Sequence, residues 1–146
     1  MKKYNIIVSI VIFAIVFALG CIFLAVWFGG HGDKYGDRLN GIEEVEISKN
    51  KLNDIASKIK EKEFVKKVDS NIQGRIINIL VTVEEKANVN NAKGVSSIVI
   101  DTLSEKELSF YDIQLFLLEE NSSEDSNYPY IGYKHKSVDT FTWSNN

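Results

Sequence analysis

The chain has 146 residues, 45% of them hydrophobic and 25% charged, with a formal net charge of −3. That length holds one domain with one core plus a short appendage, and excludes two full domains. A single cysteine excludes an intramolecular disulfide, and the acidic balance argues against nucleic acid, which asks for a positive footprint.

Residues 6–28 carry no charge and are interrupted only by Ser9 and Gly20. At about 1.5 Å per residue they would make a helix of about 34 Å, enough for a hydrocarbon core of about 30 Å. Tyr4 at one end and Trp27 and Phe28 at the other fit interfacial aromatic belts. The sequence therefore predicts an N-terminal transmembrane anchor over residues 1–30, with the lipid bilayer as partner through residues 6–28. Within it, "ALGC" resembles the end of a lipoprotein signal. The leucine is misplaced, however, at Leu19 with Ala18 in its stead, and seven apolar residues, Ile22 to Phe28, follow Cys21. A cleaved signal has a shorter apolar region, of about 7 to 15 residues. Cys21 reads as an ordinary helix residue of an uncleaved signal-anchor. Lys2 and Lys3 precede the helix without nearby acids, which places the N-terminus in the cytoplasm and the C-terminal domain outside, as a single-pass cell-membrane protein.

Residues 31–41, with His31, read as a juxtamembrane linker rich in Gly and charge; residues 42–146 read as the soluble α+β domain. With Asp33, Asp37, Lys2, Lys3, Lys34 and Arg38 set aside, 18 acids face 13 basic residues from Glu43 onward. Residues 43–47 alternate acid with Val45 and Ile47, the pattern of a half-buried strand. Ser48 or Asn50 can cap a helix over 49–62, whose stripe is Leu52, Ile55, Ala56 and Ile59. Residues 64–72 fit a strand better than a helix extension, because Gln73-Gly74 makes a turn into a strand over 75–84. That strand is apolar on most of both faces, which predicts a central place in the sheet. A second helix, capped by Asn88 or Asn90, carries Ala92, Val95, Val99 and Leu103. Ser104 with Glu107 has the form of a capping box. Residues 110–119 make another strand, 119–127 an acidic loop, and 128–143 one strand, or two with a bend at 136–139. The order β-α-β-β-α-β-β predicts a ferredoxin-like sandwich, an antiparallel sheet with two helices on one face.

No HxxxH, CxxC or P-loop is present, so no metal, no cofactor and no catalytic residue is singled out. The most unusual stretch is "YPYIGYKHK". Its Tyr128, Tyr130, Tyr133, Lys134, His135 and Lys136 form the candidate binding residues, a recognition edge in which tyrosines give stiff contact area and lysines attract anions. The competing reading is an edge strand protected by lysines.

Gly36-Asp37-Arg38-Leu39, Gly74-Arg75-Ile76-Ile77, Tyr111-Asp112-Ile113 and Gly132-Tyr133-Lys134-His135 together resemble uncharacterised small single-pass membrane proteins of low-GC Gram-positive bacteria. The resemblance implies a bacterial membrane-bound domain and transfers no catalytic residue. The functional expectation is a membrane-anchored extracytoplasmic binding or scaffold domain with a protein partner, of the kind an accessory subunit of a membrane assembly would be. Two alternatives stand beside it: a cell-surface enzyme using His135 with a nearby carboxylate, and a cytoplasm-facing membrane tether.

Overall fold

Five strands form one sheet in the computed structural model, which describes residues 2–29 and 39–145. They are β1 (Val65–Gln73), β2 (Ile76–Val83), β3 (Asp112–Glu119), β4 (Tyr130–Lys134) and β5 (Thr142–Asn145), side by side in chain order. The helices are α1 (Lys2–Gly29), α2 (Lys49–Lys60), α3 (Val89–Lys93), α4 (Val95–Thr102) and α5 (Glu105–Leu108). The chain divides into two units, Met1–Asp37 and Arg38–Asn146, and the second contains the sheet.

Strict alternation builds the covered face of the sheet. Ile77, Ile79, Val81 and Val83 of β2 and Ile113, Leu115 and Leu117 of β3 are fully buried. Leu52, Ile55 and Ile59 of α2 and Val95 and Val99 of α4 join them in one cluster. Local chemistry sets the element ends. The Ser48 side chain accepts from the Lys51 N–H and starts α2. Asn88 accepts from the Asn90 and Asn91 N–H groups and starts α3. Ser104 and Glu107 form the capping box of α5. Gly94 then divides the single helix expected after residue 88 into α3 and α4. Gly74 takes a φ of 59° in the two-residue β1–β2 hairpin, a conformation open to glycine.

Several expectations are corrected. Residues 43–47 form no strand: Ile42–Glu44 is a 3-10 turn, and Val45 and Ile47 enter the core from irregular chain. Without that strand the ferredoxin-like sandwich fails. The sheet is also mixed rather than antiparallel, since β2 and β3 pair parallel through the α3–α5 crossover, while β1–β2, β3–β4 and β4–β5 pair antiparallel. The chain remains α+β.

The transmembrane anchor is corrected as well. Residues 6–28 do lie in a helix, α1, and Cys21 is an exposed free thiol within it. Among the described residues, however, no helix is long and apolar enough to cross a membrane. The transmembrane, single-pass and signal-anchor readings, which rest on that span, are corrected with it. Of the linker, residues 31–38, with His31, lie outside the described residues, as do the side chains of Trp27 and Phe28.

Candidate interaction surface

The six residues singled out in "YPYIGYKHK" do not share one surface. Strand alternation in β4 turns Tyr130, Gly132 and Lys134 to the covered face and Ile131 and Tyr133 to the other. β4 is also no edge strand, because it lies between β3 and β5.

On the covered side, Tyr128 is buried and its hydroxyl donates to the Ala87 carbonyl at 3.1 Å. Burial, reinforced by the charge of Glu119, pushes its phenol up to about 12. Its ring meets Tyr130 edge-on at 5.8 Å. The Lys93 ammonium stands 4.1 Å from the Tyr130 ring centre and 5.6 Å from that of Trp143, a cation held against two aromatic faces. Lys134 is 1% exposed, and its ammonium donates to the Leu108 carbonyl at the end of α5. These three residues therefore tie loops and helices to the sheet.

On the other side, Asp112 gathers the rest. Its Oδ1 accepts the Lys136 backbone N–H at 2.9 Å and lies 3.9 Å from His135 Nε2. The Tyr133 phenol is pushed up by burial, then by the Asp112 charge and a hydrogen bond with Asp112. The carboxylate near His135 is thus Asp112, at a separation too long for a hydrogen bond. His135 Nδ1 accepts the Ser137 backbone N–H at 3.2 Å and meets the Ser137 hydroxyl at 2.7 Å. An accepting Nδ1 puts the ring proton on Nε2, toward Asp112. This cluster is open to water, with 45% of the His135 side chain exposed.

A cavity of about 490 Å³ lies elsewhere, between the loops that leave β2 and β3, where Glu85, Lys86, Asn121 and Tyr128 line it. Glu119 there accepts from the Ser126 hydroxyl and the Lys86 N–H, which hold its carboxyl below the usual range. Its hydrogen bonds join the two loops. Among the described residues no group of three His, Cys, Asp or Glu side chains could hold a metal ion.

The feature that reasoning along the sequence missed is the second face of the sheet. Strand register aligns Asp69, Leu80, Phe116, Ile131 and Ser144 in one row across all five strands. The neighbouring row is Asn71, Asn78, Gln114, Tyr133 and Thr142. Asn78 donates to Asn71 at 3.0 Å within it. Leu80, Phe116 and Ile131 are only partly buried, and Leu118 beside them is 37% exposed. The helices of this unit send their buried side chains to the opposite face. The signal was present in the sequence as Ile76, Leu80, Phe116 and Leu118, apolar residues at the polar positions of two strands.

No protein-family model and no curated protein matches the chain. A solved structure, titled "Crystal structure of Sex pheromone staph-cAM373 precursor", is similar at 17% identity and a TM-score of 0.44, over 79% of this chain and 39% of that one. A likeness that remote carries no function.

Proposed function

We propose that the Arg38–Asn146 unit is a binding module that works by contact with a protein partner through the second face of its sheet. One observation carries the reading: the row Leu80, Phe116, Ile131, apolar and only partly buried at the centre of a five-stranded sheet. A sheet face that meets only water is normally polar, and a contiguous apolar patch bordered by polar residues is the usual form of a protein-binding surface. Along one side the border is Asn71, Asn78, Gln114 and Thr142, neutral groups able to donate and accept hydrogen bonds, and at the β1 end it is the Lys67–Asp69 ion pair.

The test is a photo-crosslinking amino acid placed at position 116 of the full chain, in the cells the protein comes from, with position 97 on the exposed side of α4 as control. Protein adducts at 116, scarce at 97 and removed by Leu80→Asp, are expected. No excess of protein adducts at 116, or adducts with lipid only, overturns the reading.

A further inference from the structure

We infer that the partner of this face is a second copy of the same chain, paired about a twofold axis along β3; the inference rests on the binding-module reading above. β3 is the third of five strands, so a half-turn about it exchanges β1 with β5 and β2 with β4. Each row of the face then lies over itself, and the registers name the meetings. In the central row Phe116 meets Phe116, Leu80 meets Ile131, and Asp69 meets Ser144. In the neighbouring row Gln114 meets Gln114, Asn78 meets Tyr133, and Asn71 meets Thr142.

Each of these meetings is chemically compatible. Apolar groups oppose apolar groups, and the Asp69 carboxylate opposes a hydroxyl that can donate to it. Amides and hydroxyls carry both donor and acceptor, so twofold-related copies satisfy one another. Lys67, beside Asp69, already pairs with it at 2.5 Å, which leaves no free like charge at that border. The like-charge meeting on the axis is Asp112 with Asp112, at the end of β3.

The area is also sufficient. Five strands about 4.8 Å apart, four to nine residues long at about 3.3 Å each, offer about 500 Å² per copy and about 1,000 Å² per pair. That meets the roughly 1,000 Å² a biological interface should clear. Sheets pack face to face with their strands within about 30° of alignment, which such an axis allows.

The experiment uses the full chain with Cys21→Ser, so that no native thiol interferes. Gln114→Cys is treated with a short bismaleimide, and Ser97→Cys serves as control. Cross-linked dimer is expected at 114 and about tenfold less at 97, with Phe116→Asp lowering the yield at 114 by about tenfold. Asp112→Asn, which removes the like charge on the axis, is expected to raise the yield. Leu80→Ser replaces Phe116→Asp if circular dichroism shows that variant unfolded. Equal yields at 114 and 97, or a dimer indifferent to both Leu80→Ser and Phe116→Asp, overturn the inference. The two readings fail separately. Photo-adducts at 116 with foreign proteins alone end the self-pairing and leave the binding module standing, whereas no protein adduct ends both.

Discussion

Tyr111 shows how much one side chain holds. It is 1% exposed, and its hydroxyl donates to the Val45 carbonyl at 2.8 Å, fastening irregular chain that no strand ladder secures. Tyr111→Phe leaves that buried carbonyl without its donor, at an expected cost of about 1–2 kcal/mol in urea unfolding. Glu107 acts similarly on α5. Burial raises its pKa, but hydrogen bonds from Lys51 and from the Ser104 backbone and hydroxyl outweigh it, and the carboxyl rests below its ordinary 4.5. A carboxylate depressed in the folded state stabilises above its unfolded pKa and loses that contribution as pH falls through the folded value. The urea midpoint of the native chain is therefore expected to fall between about pH 5 and pH 3 more steeply than that of Glu107→Gln. Tyr128 has the opposite sign, because its phenol is raised from 10.0 to about 12. Its contribution is complete below pH 10 and lost as pH rises toward 12, so absorbance at 295 nm should show a late-titrating tyrosine that Tyr128→Phe removes.

Among elements, β5 depends on a glycine. A Cβ at Gly132 would lie 2.8 Å and 2.9 Å from atoms of the Trp143 ring and 3.1 Å from Phe141. A ring packed in a sheet cannot bend aside as a lysine tip can. Gly132→Ala should cost about 1–3 kcal/mol and shift Trp143 fluorescence. The element ends were legible because their causes are local. Ser48, Asn88, the Ser104–Glu107 box and Gly74 each act within three residues of where they stand. The strand expected at 43–47 failed for the converse reason. Val45 and Ile47 alternate as a strand would, but alternation requires only that both reach the core, and irregular chain achieves that here.

At the scale of the whole Arg38–Asn146 unit, the sheet has one face covered by the unit's helices and one that its described residues leave open, and the two should answer mutation differently. Ile79→Ala, on the covered side, should cost about 2–5 kcal/mol, whereas Ile131→Ala, on the open side, should cost less than about 1.5 kcal/mol under monomeric conditions. Chemical denaturation at low protein concentration separates the two. The apolar character of residues 75–84 on both faces correctly implied a central strand, since β2 lies between β1 and β3. A central strand is flanked at both sides by partners, yet this does not mean that both of its faces are covered. The candidate residues of β4 illustrate the same distinction. Period-two alternation, available in the sequence, already separates Tyr133 from Lys134, but the meeting of His135 with Asp112 needed the β3–β4 register.

Length, charge, turns, caps and the alternating strands other than 43–47 were thus determined by the sequence itself, because each rests on neighbours a few residues apart. Strand order, the parallel β2–β3 pairing and the open face were decided only by the tertiary structure. An alternating strand presents the same pattern to any partner, and only the packing of the whole chain selects which partner it meets and which face stays bare.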